Sequence, residues 1–266
     1  MEIQTAKLVS FSPTGTTKAV LQGIARGLNQ RSVEQIDITK PDAREQYLET
    51  TEDELLVVGV PVYMGRVPAL LMDWLQGIKA RNTPAVCVVV YGNRAFDDAL
   101  LELRDVLSGA GCVAIAGAAF VGEHSFSSPV LPTAEGRPDA GDLRRAEEFG
   151  RGVLEKLRSA SSFDDLPDLH VPGNHPYGGI TELWSVDFIE VGDECIQCGT
   201  CAAGCPVGAI DFHDSRVIDK EKCFTCCACI KSCPQGARTM KSGPVMDAAI
   251  RLTELYSERR EPAFFM

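Results

Sequence analysis

The first 158 residues alternate between short apolar runs and longer segments whose apolar residues recur with helical spacing. The apolar runs span residues 6–11, 33–38, 55–60, 85–91 and 112–121, and they are rich in valine, isoleucine and other strand-forming residues. Five strands that alternate with helices predict an α/β domain with a doubly wound, five-stranded parallel sheet. Ligands of such sheets bind beyond the carboxyl ends of the strands. We therefore expect a site at the loops after the first, third and fourth runs.

The remaining residues divide into three parts. Residues 159–184 lack apolar periodicity and cluster serine, aspartate, proline and glycine, which is typical of an interdomain linker. A small α+β domain is expected over residues 185–241, with Trp184 and Phe188 packing its first strand. In the tail, residues 242–266, Val245, Ala248, Ala249, Leu252 and Tyr256 have helical spacing. The tail is therefore predicted to form an amphipathic helix docked on one domain.

The second domain contains a duplicated cysteine motif. Eight of the eleven cysteines lie in two copies of C-x2-C-x2-C-x3-C-P, displaced by 28 positions: Cys195, Cys198, Cys201 and Cys205, then Cys223, Cys226, Cys229 and Cys233. The pair Gly208-Ala209 after the first copy returns as Gly236-Ala237 after the second. The repeat indicates a duplicated half-domain that holds two [4Fe-4S] clusters.

The fourth cysteine of each copy is expected to bind the other cluster, because the proline after it turns the chain away. One cluster would then be held by Cys195, Cys198, Cys201 and Cys233, and the other by Cys223, Cys226, Cys229 and Cys205. Two structural zinc sites are the alternative, but zinc sites normally use two separated C-x2-C pairs. Disulfide bonds are disfavoured, since the chain shows no secretory signal.

The negative net charge of the chain indicates which classes of macromolecule it can bind. The formal net charge of -11 makes nucleic acid and anionic lipid poor partners and basic protein surfaces good ones. No apolar stretch approaches the ~20 residues that cross a bilayer, so no membrane association is expected. With no signal peptide at its start, the protein is expected in the cytoplasm.

The loop after the first strand, Ser12-Pro13-Thr14-Gly15-Thr16-Thr17, is suited to phosphate. Hydroxyl groups and main-chain N–H groups at a helix N-terminus bind a dianion, and Gly15 lets the backbone approach closely. A Walker loop is excluded by the missing Gly-Lys-Ser/Thr ending, and no strand is followed by a G-x-G-x-x-G motif. An ordinary serine or threonine helix cap is the alternative.

This loop resembles the FMN phosphate loop of flavodoxins. Two further stretches, Pro61-Val62-Tyr63-Met64-Gly65 and Tyr91-Gly92-Asn93-Arg94, occupy the positions of the two flavin-ring loops. With the eight cysteines, the chain resembles the flavodoxin-ferredoxin fusion proteins of anaerobic microbes. The resemblance implies that Ser12, Thr14, Gly15, Thr16 and Thr17 hold the phosphate of FMN, and that the other two loops bracket its ring.

Two residues are candidates for chemistry at the flavin. The third loop lacks the acidic neighbours usual in flavodoxins and offers Arg94, which could raise the flavin potential; a surface arginine lying over the next helix is the alternative. His124 follows the fifth strand in a long loop of the kind that forms lids. It could donate a proton to reduced flavin or to a substrate, or simply hydrogen-bond its own loop.

Together these features predict an electron-transfer iron-sulfur flavoprotein with FMN and two [4Fe-4S] clusters. The expected partner is a redox protein that acts as donor or acceptor, such as a low-potential ferredoxin or an enzyme that reduces ferredoxin, and a homodimer is left open. The alternative function is an FMN-dependent reductase of a small acceptor, fed by its own clusters. A fragment ending near Ser159 is predicted to fold and bind FMN alone, because it holds all five strands.

Overall fold

The structure is a computed structural model and describes residues 3–179 and 186–266. Its strands are β1 (Thr5–Ser10), β2 (Val33–Asp37), β3 (Glu49–Thr50), β4 (Glu54–Pro61), β5 (Lys79–Ala80), β6 (Thr83–Tyr91), β7 (Cys112–Val121), β8 (Ile189–Val191), β9 (Arg238–Met240) and β10 (Ala263–Phe265). Its α-helices are α1 (Thr16–Leu28), α2 (Met72–Gln76), α3 (Ala99–Gly109), α4 (Ala140–Ser159), α5 (Thr200–Ala203), α6 (Ala228–Lys231) and α7 (Pro244–Leu255). None of the described helices is long and apolar enough to cross a membrane.

The predicted doubly wound sheet is confirmed, with one addition. The five expected strands are β1, β2, β4, β6 and β7, and all of them pair in parallel. The sheet has six strands rather than five, in the order β10-β7-β6-β4-β1-β2, because β10 pairs antiparallel with β7. Without β10, strand β7 would be an edge with unpaired backbone groups.

Helices cover both faces of this sheet. Side chains of α1 and α4 pack on one face, and side chains of α2 and α3 pack on the other. Successive residues of β4, such as Leu55 and Leu56, point to opposite faces and are fully buried. Helices α1 and α4 cross very closely, because a Cβ atom on Gly27 would lie 1.9 Å from the carbonyl oxygen of Glu147.

The cysteine motifs form a small second unit with visible internal repetition. Helices α5 and α6 occupy equivalent places, 28 residues apart, and β8 pairs with β9 across the two halves. Gly208 and Gly236 share a φ of 61°, and Gln197 and Thr225 have φ values of 56° and 58°. Cys227 has a φ of 57° at the position that Gly199 fills in the first half. Cys227 thus takes a left-handed backbone position with its side chain buried in this unit.

The segment after α4 and the tail both return to the first domain. Residues 172–179, which we call the strap, lie beside α3: Asp98 accepts hydrogen bonds from the N–H groups of Asn174 and Gly178. The predicted tail helix is α7, and it buries Val245, Ala248 and Ala249. Phe188 is buried in the core of the second unit, whereas the expected packing of Trp184 lies outside the described residues.

Candidate functional site

A cavity of about 890 Å³ opens at the carboxyl ends of the parallel strands. Its walls are the loops after β1, β4, β6 and β7, the strap, one face of α7, and Thr225 from the second cysteine motif. We call it the main cavity. It lies where the chain switches from β1 and β2 to β4, which is the place that doubly wound sheets use for ligands.

The loop after β1 ends at the start of α1. Gly15 has a φ of 86° and caps the helix, and a Cβ atom there would meet nothing within 4 Å. The Ser12 hydroxyl accepts a hydrogen bond from the Lys18 N–H group at 3.0 Å, which caps part of the first turn. Of the five candidate phosphate ligands, Thr14 and Thr16 line the main cavity, whereas Ser12, Gly15 and Thr17 are not among its wall residues.

Thr17 carries a polar atom that lacks a partner. Its side chain is 1% exposed, and its hydroxyl finds no hydrogen-bond partner among the described residues. A buried hydroxyl without a partner is costly, on the order of 1–3 kcal/mol. An anion bound at the first turn of α1 would give the Thr17 hydroxyl and the neighbouring N–H groups an acceptor. These residues therefore fit a phosphate group.

The five residues predicted to form the first flavin-ring loop, Pro61 to Gly65, are all wall residues of the main cavity. Met64 and Gly65 have φ values of 52° and 83°, and Tyr63 pairs with Arg66 across this tight turn. Burial, with a smaller effect from the thiols of Cys226 and Cys227, holds the pKa of the Tyr63 hydroxyl well above its ordinary value. Tyr63 therefore lies between the main cavity and the second cysteine motif.

The loop after β6 is only partly as expected. Tyr91, Gly92 and Arg94 line the main cavity, but Asn93 does not. The Asn93 side chain is buried and donates hydrogen bonds to the carbonyl oxygens of Tyr256 and Glu258, at 2.6 and 2.8 Å. Asn93 therefore fastens the tail over the site.

Arg94 is not the free cation that its sequence context suggests. It forms an ion pair with Asp97, which also lines the cavity. An acidic residue is thus present beside the second predicted flavin-ring loop: Asp97 stands three positions after Arg94, the last residue of that stretch. The carboxylate of Asp97 compensates the positive charge of Arg94. Arg94 is therefore expected to raise the flavin potential less than an unpaired arginine would.

His124 lines the main cavity with its ring against Gly92. Its Nδ1 atom accepts a hydrogen bond from the Phe126 N–H group at 3.0 Å, so the proton of the neutral ring is on Nε2. Burial, together with the charges of Lys231 and Arg94, lowers the pKa of His124 from 6.5 to about 4. At neutral pH His124 is therefore a neutral hydrogen-bond donor at Nε2 rather than a charged acid.

The depressed pKa of His124 predicts a stability change with pH. The unfolded chain binds a proton near pH 6.5 and the folded chain only near pH 4, so protonation favours unfolding across that interval. We expect the free energy of unfolding to fall by about 1.5 kcal/mol between pH 6.5 and pH 5 on account of this residue. Urea unfolding of wild-type protein and His124→Gln tests this expectation. Equal pH slopes for the two proteins would contradict it.

The strap is positioned by two carboxylates, the buried Asp98 just before α3 and the half-buried Asp105 within it. Hydrogen bonds from the Gly178 and Asn174 backbone lower the pKa of Asp98. The Tyr177 hydroxyl donates to Asp105 at 2.6 Å, and the Arg66 guanidinium lies 4.9 Å from the Tyr177 ring centre. Residues 172–179 fall within the stretch that the sequence predicts as linker, because their contacts with Asp98 and Asp105 join residues more than 70 positions apart.

Five thiols line a second, smaller cavity, which we call the thiol cavity; four belong to the motifs and the fifth to Cys227. Its wall includes Cys205, Cys223, Cys226 and Cys229, together with Phe188, Ile210 and Phe224. Burial, with a contribution from neighbouring thiols that include Cys205, raises the pKa of Cys226 and raises that of Cys229 to about 12, though for Cys229 the charge of Arg238 opposes this. The structure thus brings Cys205 of the first motif into the same wall as three motif cysteines of the second, and the crossed cluster assignment stays a prediction.

The remaining motif cysteines differ in exposure: Cys201 is buried, and Cys195 and Cys233 are half-buried. Cys198 is exposed, and its thiol lies 3.4 Å from the Thr200 hydroxyl, which lowers the pKa of Cys198. Within the described residues, no three histidine, cysteine, aspartate or glutamate side chains lie close enough to hold a single metal ion. The other three cysteines, Cys87, Cys112 and Cys227, are buried.

Only a few contacts separate the two cavities. Phe224 lines the thiol cavity, and its ring lies 5.7 Å from the Tyr63 ring and 6.2 Å from the Phe11 ring. Thr225, the next residue, lines the main cavity. The two units are also joined by a hydrogen bond from Arg44 to the Pro206 carbonyl oxygen at 2.6 Å and by an ion pair between Lys231 and Glu123.

Two protein-family models match separate parts of the chain. A model described as NADPH-dependent FMN reductase matches residues 21–126, which begin within α1 and reach the loop after β7. A model described as 4Fe-4S dicluster domain matches residues 194–237, which contain all eight motif cysteines. No curated protein matches the chain.

Several solved structures are similar to part of the chain. A flavodoxin from the domain Archaea is 18% identical and covers 58% of this chain and 99% of its own, with a TM-score of 0.41. The flavodoxin of Streptococcus pneumoniae TIGR4 is 19% identical over 57% of this chain and 99% of its own, with a TM-score of 0.41. An NADH:FMN oxidoreductase in its apo form is 18% identical over 60% of this chain and 91% of its own, with a TM-score of 0.38.

Proposed function

We propose that this chain, in which a flavodoxin-like FMN domain is joined to a 4Fe-4S dicluster domain, transfers electrons between two [4Fe-4S] clusters and FMN and on to a partner. One observation carries the proposal: Thr225, which lies between the cluster ligands Cys223 and Cys226, is also a wall residue of the main cavity. The cluster held beside the flavin would be the one bound by Cys205, Cys223, Cys226 and Cys229. When bound, these clusters supply one-electron chemistry and FMN supplies one- or two-electron chemistry.

The residues of the main cavity divide the work of holding FMN. Thr14 and Thr16 from the cavity wall, with the buried Thr17 next to them in α1, would bind the phosphate at the start of α1, where the unpartnered Thr17 hydroxyl needs an acceptor. Tyr63 and Met64 would border one side of the ring, and Tyr91 with Gly92 the other. His124, neutral and protonated at Nε2, would donate a hydrogen bond within the cavity.

The residues between the two cavities hold the clusters and the flavin at a fixed separation. Phe224, Tyr63 and Phe11 are in ring contact, so the second cysteine motif cannot shift without disturbing the ring loop. The backbone of Thr225, at a φ of 58°, brings it towards the main cavity. Electrons could therefore pass within one chain, without a collision between two molecules.

Electron transfer within one chain can be tested, because its rate does not depend on the protein concentration. After rapid mixing with a limiting amount of a one-electron reductant, cluster absorbance should bleach first and flavin absorbance should follow. The rate of the second phase should not change over a tenfold range of protein concentration. A flavin phase whose rate rises with protein concentration would mean that electrons move between molecules, and the proposal would fail.

The phosphate site predicts the effect of Thr17→Val. Valine has nearly the same shape but no hydroxyl, so FMN affinity should fall about tenfold, the worth of one hydrogen bond to a charged group. The apo protein should lose no stability, because the replaced hydroxyl has no partner there. Riboflavin, which lacks the phosphate, provides the control and should bind both proteins equally. An unchanged FMN affinity would place the phosphate elsewhere.

The partner is proposed to be a redox protein with a basic surface. The chain has a formal net charge of -11, and the exposed Cys198 follows Gln197, whose side chain donates a hydrogen bond to the exposed Asp214. One observation favours the alternative function, an FMN-dependent reductase of a small acceptor. The main cavity extends past the three flavin loops to the strap and α7, which leaves a wall that FMN contacts do not explain.

A further inference from the structure

The face of α7 that lines the main cavity carries one charged group. Ala248, Arg251, Leu252 and Leu255 follow the spacing of a single helix face and all are wall residues. The end of α7 is fixed by Asn93, and the Thr253 hydroxyl lies 3.0 Å from that of Thr133 in the loop after β7. Arg251 is therefore held over the loops after β6 and β7.

The other charged groups of the main cavity already have partners. Arg94 pairs with Asp97, Glu123 pairs with Lys231, and Asp98 accepts three hydrogen bonds from the strap. Arg251 alone among these wall charges forms no ion pair or hydrogen bond within the described residues. Asp247 and Glu254 lie one helical turn away on either side, and neither pairs with it. The cavity wall therefore presents one uncompensated positive charge.

Several wall residues of the main cavity are apolar. They include Leu252 and Leu255 on α7, Met64 in the loop after β4 and Phe126 in the loop after β7. We propose that Arg251 recognises the carboxylate of a small planar ligand that occupies the part of the main cavity outside the flavin. Arginine binds a carboxylate through two parallel hydrogen bonds, and an apolar wall suits the uncharged body of such a ligand. This inference rests on the proposed flavin site and names the ligand class for its alternative function.

The phosphate of FMN is another anion that could bind Arg251. The start of α1, where Thr14 and Thr16 line the cavity, already provides a phosphate site. The contacts of α7 are with the loops after β6 and β7 rather than with α1. Arg251 is therefore assigned to a second ligand.

The test uses the FMN-loaded protein and the probe benzoate, with benzamide as its uncharged counterpart. FMN content is measured first, so that a failure of the flavin site is recognised separately. Each probe is titrated into the protein, and its dissociation constant is obtained from the saturable change in flavin absorption. Benzoate should bind at least tenfold more tightly than benzamide. Arg251→Gln should weaken benzoate binding about 10- to 100-fold and leave benzamide unaffected. The benzoate affinity of Arg251→Lys should lie between those of the wild-type protein and Arg251→Gln.

Arg158→Gln, which changes an exposed arginine of α4 away from the cavity, should behave as wild type. Equal affinities for benzoate and benzamide in wild-type protein would overturn the proposal. So would an Arg251→Gln protein that loses affinity for FMN but not for riboflavin, because the arginine would then serve the flavin phosphate.

Discussion

Replacing Cys205 with serine should abolish fast reduction of FMN by a donor that reduces the clusters, although Cys205 belongs to the first cysteine motif. Cys205 lines the thiol cavity with Cys223, Cys226 and Cys229. Phe224 of the same wall is followed directly by Thr225, a wall residue of the main cavity in which FMN is proposed to bind. Loss of supporting hydrogen bonds at a metal site costs 10- to 100-fold, so loss of a ligand should slow flavin reduction by more than about 100-fold. Dithionite should still reduce the flavin directly.

Cys233→Ser is the matched control, because it removes the fourth cysteine of the other motif. It should damage the cluster bound by Cys195, Cys198 and Cys201 and leave the thiol cavity intact. EPR spectra of the reduced variants identify the cluster that is lost, and stopped-flow absorbance gives the rate of flavin reduction. If Cys205→Ser instead removes the cluster of its own motif, the crossed assignment is wrong.

Gly27→Ala should destabilise the flavin domain strongly. A Cβ atom at Gly27 would lie 1.9 Å from the Glu147 carbonyl oxygen and 2.9 Å from the Arg151 nitrogen, and these backbone atoms cannot rotate away. Helices α1 and α4 would have to separate along their buried contact. We expect a loss of about 3 kcal/mol in the free energy of unfolding, the upper part of the usual range for overpacked cores.

The same substitution at Gly109 is the control. Gly109 ends α3 and a Cβ atom there would meet nothing within 4 Å, so Gly109→Ala should cause no loss of stability. Urea unfolding of the two variants measures the difference. If Gly27→Ala is as stable as Gly109→Ala, the close crossing of α1 and α4 does not exist.

The sequence predicts well those features that depend on nearby residues. The five predicted runs are five parallel strands. The signal is clearest for β4 and β6, because strands buried on both faces need apolar residues throughout, whereas β2 at the sheet edge is mostly exposed. The cysteine spacing places its ligands by local turns, which the shared φ values of Gly208 and Gly236 reflect. The ring loop at Pro61 to Gly65 also follows directly from the end of its strand.

Features that depend on distant residues were not predictable. The Asp98 contacts with Asn174 and Gly178 join residues more than 70 positions apart and leave no periodic signal. Asn93 has the place of a flavin residue in the sequence, yet its side chain is taken by the backbone of the tail. Arg251 has no sequence motif at all, and only the position of α7 brings it to the cavity.

The pairing of β10 with β7 changes how the two units are connected. The chain leaves the flavin domain after the strap, builds the dicluster unit, and then returns through α7 to complete the sheet. The dicluster unit is therefore an insertion within the flavin domain, anchored at both ends, rather than an appended module on a tether. A fragment ending at Ser159 lacks the strap, α7 and β10. Excising the insertion and joining the strap to α7 with a short flexible linker would preserve every wall of the main cavity except Thr225.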